Sequence, residues 1–343
     1  MKAAVLYKAR DIRLEEIEKP EPDSNEALIK VNSVGICGSD VHYYKYGGIS
    51  TRIINKPHIL GHEVSGIIEA VGENDRGLKK GMAVGVDPII TCGECESCIK
   101  GEYNLCKSIK FCGSPPYHGG MREYMTYPVK NLFPLPDNIS TEEGVLLETI
   151  SVCIHSIDES NINIADSVAI FGAGNIGLSI LQLAKLSGAF DVYVVDPLDY
   201  RLKIAKDLGA TDVINPNLED PVEKIIQLTN GRGVDVGFEA AGVPETPQQT
   251  INSIKRGGTF AFVGIIANSI IQWDTEITRK NGIKIKVIHK SRHSYERTIQ
   301  LIKKEKFIVK PYITHRFPLE KAEEAFKTVE NYEDHVLKAV IKP

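Results

Sequence analysis

The sequence predicts an α/β protein of two domains, a β-rich domain followed by a doubly wound parallel sheet, with the chain end returning to the first domain. Three observations carry this. Residues 1–140 are rich in Val and Ile runs punctuated by Gly and Pro, with sparse helical signals. From Ser167 onward, strand-like and helix-like segments alternate as in parallel βαβ units. A G-x-G-x-x-G loop stands where the first such strand meets the first such helix. The expected boundaries are 1–150, 151–288 and 289–343.

In chain order, "ALIKVNSVGI" and "EVSGIIEAV" read as strands of the first domain. The texture changes at "PLPDNISTEEGVLLETISVCIHSI", where Ser140 or Thr141 caps a helix with Glu142 and Glu143 in its first turn. "SVAIFG" then precedes the helix "NIGLSILQLAKLSG", and "DVYVVD" precedes "DYRLKIAKDLG". "VDVGFEAAG" and "GTFAFVG" continue the strands. The last segment mixes the helix-like "LEKAEEAFKTVE" with the strand-like "VLKAVIK". This order places a nucleotide domain late in the chain, with the C-terminus packing back on the first domain.

Composition narrows the function. The chain has 343 residues, a net charge of −4, 25% charged and 42% hydrophobic residues. No basic excess suggests nucleic acid and no acidic tail suggests a solvated arm. No apolar run is long enough to span a membrane, and "MKAAVLYKAR" opens as a strand rather than a secretory signal. A chain of this length buries a large core without disulfide staples, and its 7 cysteines are an odd number. A reducing cytoplasmic location is expected.

Four of those cysteines crowd into "TCGECESCIKGEYNLC", as Cys92, Cys95, Cys98 and Cys106. A disulfide-stapled loop and a metal site compete as readings. In a reducing compartment the cluster reads as metal binding. Four thiolates close a tetrahedral Zn2+ site and leave no position for substrate. A structural zinc lobe over 91–107 is expected, with the chemistry elsewhere.

The glycine loop is Gly172, Ala173, Gly174, Asn175, Ile176 and Gly177, after an apolar strand and opening an amphipathic helix. The first Gly makes the tight turn, the second lets the backbone approach a pyrophosphate, and the third lets helix and strand pack closely. The helix N-terminus offers N–H donors to the phosphates. Asp196, at the end of the next strand, suits ribose hydroxyls and repels a 2′-phosphate, which favours NAD over NADP. Arg201 tempers that preference, since a nearby Arg accommodates a phosphate. Val263, at the end of "GTFAFVG", is also assigned to the cofactor.

A second cluster lies in "VGICGSDVH" and "LGHEVSG". Cys37, Ser39, Asp40 and His42 are placed on a loop after a strand, and His62 and Glu63 on another. The His-Glu pair is not a zincin helix, because Gly66 stands where the second His is needed. Each residue alone has a plain structural role: a buried thiol, a hydrogen-bonded imidazole, a loop turn. Gathered from separate loops, such residues form three-ligand metal sites with an open position.

"GHEVSG", the four-cysteine lobe and the late "GAGNIG" together resemble the zinc-containing medium-chain alcohol dehydrogenases along essentially the whole chain. "ICGSDVHYY", "FCGSPP", "VCIH" and "VKPYITHRFPLEKAEEAF" look like the sorbitol (polyol) dehydrogenase branch. The resemblance implies a GroES-like catalytic domain beside a Rossmann domain, NAD, and two Zn2+ per chain. It puts catalytic zinc on Cys37 and His62, with Glu148 in place of the usual third Cys and Glu63 close to the metal. It implies that Ser39 accepts the proton of the substrate hydroxyl, that the cofactor ribose and His42 continue the relay, and that Asp40 orients His62. Cys112 and Cys153 are read as packed thiols.

Tyr43, Phe111 and Ser114 match positions that line the polyol pocket of that branch. An Arg-Tyr pair of the branch is replaced here by Lys290 and Ser291, and Lys does not reproduce the Arg fork. The expected activity is therefore hydride transfer between a secondary alcohol of a polyol and NAD, giving a ketose, by a cytoplasmic homotetramer. A vicinal diol such as 2,3-butanediol, or L-threonine, stays open as substrate. A catalytically silent protein on the same fold is the non-enzyme alternative.

Overall fold

The strand Glu26–Gly35 carries Ala27, Ile29, Val31 and Val34 into the interior and has neighbours on both sides. It pairs antiparallel with Glu63–Val71 and Tyr124–Pro128, and its end pairs with Lys338–Lys342. A 7-stranded sheet results, running from Leu132–Pro134 through Ala83–Val86, Glu63–Val71, Glu26–Gly35 and Lys338–Lys342 to Ile313–Pro318. A smaller sheet joins Lys2–Lys8 to Asp11–Glu16 and His58–Ile59. The computed structural model describes residues 1–267 and 270–343. It divides into Met1–Ser151 with Arg292–Pro343, and Val152–Ser291.

Register positions the chemistry of the first unit. Gly35 lies opposite Glu63, so the strand end leading to Cys37 and the strand start following His62 are side by side. Val340 also pairs with Gly35, which brings the chain end to the same place. Only glycine fits at 35, since a Cβ there would stand 2.0 Å from Glu63 Oε2. The core beneath holds Ile29, Ile68, Tyr44 and Phe326, whose aromatic rings lie 5.0 Å apart.

The segment after Gly35 corrects the expectation of a loop. Ser39, Asp40, His42 and Tyr43 lie on the helix Gly38–Tyr46. Cys37 is its N-cap, and Asp40 returns to accept a hydrogen bond from the Cys37 N–H at 3.0 Å. Gly47, in the left-handed region at φ 72°, ends it. The helix lacks an apolar period because its buried residues are Asp40, Tyr43 and Tyr44. Glu63 likewise begins a strand rather than sitting on a loop. At the expected cap farther on, Ser140 Oγ accepts from Glu143 N–H and Glu143 Oε2 accepts from Ser140 N–H, a closed capping box.

Among the described residues the second unit holds a sheet of 6 parallel strands. In chain order they are Ser167–Phe171, Asp191–Val195, Asp212–Ile214, Val234–Glu239, Ile254–Phe262 and Lys284–Val287. Across the sheet the order is third, second, first, fourth, fifth, sixth. This is the doubly wound arrangement, whose order reverses at the first strand and makes a ligand crevice at the strand ends there. The expected fold class is present in both units.

Candidate active site

The glycine loop follows the buried first strand of the second unit. Gly172 has φ 105°, and a Cβ on it would lie 2.7 Å from Ala241 N. A Cβ on Gly177 would lie 1.7 Å from Gly172 O, so that position is glycine for close packing of helix on turn. Gly174 is different: a Cβ there would meet only Arg201 Nη1, at 3.9 Å. Its open side suits the approach of a dinucleotide backbone at the N-terminus of the helix Asn175–Leu186, which includes Ile176.

Asp196 follows the second strand and is 3% exposed. Its carboxylate accepts from Ala173 N–H at 2.7 Å and Leu198 N–H at 2.9 Å, and lies 3.8 Å from Arg201 Nη1. Burial raises its pKa, opposed by Arg201 and the two amides. The loop, Asp196 and Arg201 are thus one assembly. Val263 follows the fifth strand and donates its N–H to Glu239 O at 2.9 Å. Lys290, at φ 57°, follows the sixth strand in this unit, whereas Tyr43, Phe111 and Ser114 belong to the other.

In the first unit the sulfurs of Cys92, Cys95, Cys98 and Cys106 all lie within 4.8 Å of one another. Cys92 Sγ stands 3.5 Å from Cys106 Sγ and 4.0 Å from Cys98 Sγ. A disulfide is about 2.05 Å long, so these are not bridges. All 7 cysteines are free. A tetrahedron of Zn–S bonds of about 2.3 Å has edges of about 3.8 Å, which these separations bracket. Backbone N–H groups of Cys92 and Ser108 point at Cys106 Sγ, each at 3.4 Å. Hydrogen bonds from the Cys98 and Lys107 backbone bring Cys95 down to about 6, while burial, then hydrogen bonding with Cys95, pushes Cys98 up to about 11. Four sulfurs this close form a donor set that fits zinc.

Ligand atoms of Cys37, His62 and Glu63 form a second group within 4.8 Å. Asp40 is fully buried, with Oδ1 3.4 Å from His62 Nδ1. Burial acts to lower the His62 pKa, but Asp40 and Cys37 outweigh it and hold it well above the ordinary value. The mixed sulfur, nitrogen and oxygen set suits zinc with an open position. Glu148, half-buried on the helix Leu146–Ser160, is outside this group among the described residues and acts electrostatically on Lys338 and Tyr295.

Sequence reasoning missed Lys338. Its Nζ is 2.6 Å from each Glu63 carboxylate oxygen and donates to Ile36 O at 3.3 Å. Thr149 Oγ1 donates to Glu63 Oε1 at 2.8 Å. Burial opposes the Lys338 charge, but Glu63 and Cys37 overcome it and raise its pKa. The available signal was a lysine inside the all-buried run "VLKAVI".

Around the group, Phe111 sets its ring 5.2 Å from that of His62. Ser114 Oγ and Tyr43 Oη share a buried hydrogen bond of 2.7 Å, and Arg52, also missed, donates to Ser114 Oγ at 3.0 Å. Ser39 and His42 are half-buried on the helix that Cys37 caps. Burial, then Lys45, lowers the His42 pKa, leaving a neutral ring able to accept a proton. Cys112 is buried with Sγ 3.8 Å from Gly61 O, and Cys153 is buried against Ile176 O; among the described residues neither joins a metal group.

Comparison with known proteins adds two family matches. Residues 23–137 match the alcohol dehydrogenase GroES-like domain, and residues 175–304 match the zinc-binding dehydrogenase domain. The chain is 38% identical to sorbitol dehydrogenase of Bacillus subtilis (strain 168), covering 100% of this chain and 97% of the relative. It is 37% identical to L-idonate 5-dehydrogenase of Vitis vinifera, over 95% of this chain and 90% of that one. Among solved structures, an Escherichia coli oxidoreductase/dehydrogenase of unknown specificity matches with TM-score 0.94 and 35% identity, over 99% of this chain and 98% of that one.

Proposed function

We propose that this chain, which belongs to the zinc-binding alcohol dehydrogenase family, oxidises a secondary alcohol of a polyol to the ketone with NAD as acceptor. It is an oxidoreductase of that family, and zinc and a nicotinamide dinucleotide are its cofactors. The observation that carries the reading is the gathering of Cys37, His62 and Glu63 by the Gly35–Glu63 register.

Cys37 and His62 would hold the catalytic zinc, with Glu63 or Glu148 completing the set. Cys92, Cys95, Cys98 and Cys106 would hold a structural one. Bound zinc supplies Lewis acidity to a substrate hydroxyl. Asp40 fixes the ring of His62 by facing its Nδ1. Ser39 takes the hydroxyl proton, and the neutral His42 three residues on receives it and passes it to water. Lys338 and Thr149 hold the Glu63 carboxylate in place. Phe111 walls the pocket against His62, while Tyr43 and Ser114 bind hydroxyls; Lys290, in the second unit, is proposed as a further substrate reader on resemblance. Gly172, Gly174 and Gly177 shape the turn for the pyrophosphate, and Asp196 selects NAD at the ribose.

Sorbitol and L-idonate, named for two relatives, are polyhydroxy chains, one neutral and one a carboxylic acid. A cytoplasmic homotetramer is the proposed assembly, and light scattering on the purified protein tests it. The function is tested by NAD and NADP reduction over a panel of hexitols, pentitols, 2,3-butanediol, L-threonine and primary mono-alcohols. Polyols with NAD should give the highest kcat/KM. A clear preference for a primary mono-alcohol, or no reduction with any alcohol, would overturn the reading.

A further inference from the structure

We infer that Arg52 is a specificity residue that binds an anionic group, carboxylate or phosphate, at the end of a polyhydroxy substrate remote from the oxidised carbon. The inference deepens the polyol dehydrogenase reading and rests on it.

Arg52 lies in a short hairpin following the helix Gly38–Tyr46, with Ile49 paired to Arg52 and Gly48 to Ile53. Ile54 N–H donates to Gly47 O at 2.8 Å, which ties the hairpin to the helix end. The side chain reaches back to donate Nη1 to Ser114 Oγ at 3.0 Å. Ser114 and Tyr43 are each 4% exposed, so the arginine is anchored on a buried hydroxyl pair. Ser114 ends the segment that begins with Phe111, the ring packed on His62. The guanidinium is therefore linked to the metal-ligating group through Ser114 and the segment that carries Phe111 onto His62.

Among the described residues Arg52 forms no ion pair, and its side-chain hydrogen bond goes to the neutral Ser114. Residues 41–61 contain Lys45, Arg52 and Lys56 and no Asp or Glu, in a chain whose net charge is −4. A serine oxygen accepts one N–H of the five that an arginine carries. The planar fork that remains matches the two oxygens of a carboxylate or phosphate, and charge-assisted bonds of this kind are about twice as strong as neutral ones. A neutral polyol needs only hydroxyl partners, which Tyr43 and Ser114 already supply.

The test measures binding and turnover on the zinc-loaded enzyme, with a neutral hexitol, the corresponding aldonate and the corresponding hexitol phosphate. Calorimetry in the presence of NADH gives Kd for each, independently of chemistry. Wild type should bind one of the two anionic compounds at least about tenfold more tightly than the hexitol, with a preference that weakens as salt is raised. Whether the aldonate or the phosphate is favoured tells which anion is read. Arg52→Gln should lower the anionic-to-neutral affinity ratio by about 10- to 100-fold, with Arg52→Lys between the two. A wild type that binds the hexitol as tightly as both anions, or a ratio unchanged in Arg52→Gln, would overturn the inference. Absence of turnover with all three compounds would count against the dehydrogenase reading, while the Kd ratios still decide the role of Arg52.

Discussion

Lys338 places its ammonium 2.6 Å from both carboxylate oxygens of Glu63, with the two side chains 2% and 1% exposed. The pair joins the last strand of the chain to the strand that follows His62, at the point where Cys37 also arrives. A buried ion pair is costly to break from one side, because the remaining charge stays desolvated.

Lys338→Met should therefore destabilise the first unit by about 3–5 kcal/mol. Hydrogen exchange of the strand Glu26–Gly35 reads this directly. The double variant Lys338→Met with Glu63→Gln should recover much of the loss, because no lone charge is left buried. Equal destabilisation in the single and double variants would show that packing, not charge, is what Lys338 contributes.

Cys95→Ser should remove one zinc per chain and lower the thermal midpoint, because metal binding at a closed thiolate site is folding free energy. Elemental analysis and calorimetry measure the two effects together. Retention of two metals per chain in this variant would refute the assignment of the four-cysteine lobe.

Asp196→Ala should weaken NAD and improve NADP, with Arg201 then free of the carboxylate 3.8 Å away. Ratios of kcat/KM for the two cofactors give the answer. A wild type that already favours NADP would make Arg201 the stronger determinant.

The nucleotide loop was legible because its logic is local: glycines, helix start and acidic strand end lie within one βαβ unit. The four-cysteine lobe was legible for the same reason. The second cluster was legible only as a list of residues, since what gathers Cys37 and His62 is the Gly35–Glu63 register between strands. Lys338 reaches Glu63 across a separation of 275 residues, and Arg52 reaches Ser114 across 62, distances over which spacing carries no information. The sequence suggests a loop at Gly38–Tyr46 because the helix there buries Asp40, Tyr43 and Tyr44 rather than an apolar stripe. Glu148 joins the metal ligands on resemblance alone, and among the described residues Cys37, His62 and Glu63 are gathered without it.

His58 makes the pH dependence of stability testable. Its ring is 4% exposed, and its Nε2 has no hydrogen-bond partner. Burial first, then the neighbouring His118 and Arg122, lower its pKa to about 4, against a hydrogen bond with the Gly113 backbone and the charge of Asp40. The unfolded chain takes up a proton near pH 6.5 that the folded one refuses. This contribution is fully present above about pH 6.5, is lost as pH falls toward 4, and is constant below, with a span of about 3 kcal/mol. Thermal midpoints of wild type and His58→Gln should differ in slope between pH 6.5 and 4. Parallel profiles would mean that His58 titrates normally.

In the proposed mechanism Cys37, His62 and a carboxylate hold a zinc that polyol oxidation requires. The most direct measurement is zinc content and kcat/KM for a hexitol, determined together on wild type and Glu148→Ala. Wild type should hold two zinc ions per chain, lose turnover when one is chelated and regain it with added zinc. Glu148→Ala should keep the zinc of the four-cysteine lobe while losing catalytic zinc occupancy or turnover. Full activity in wild type after removal of all zinc beyond the lobe would contradict the claim, and full zinc and activity in Glu148→Ala would leave Glu63 as the carboxylate.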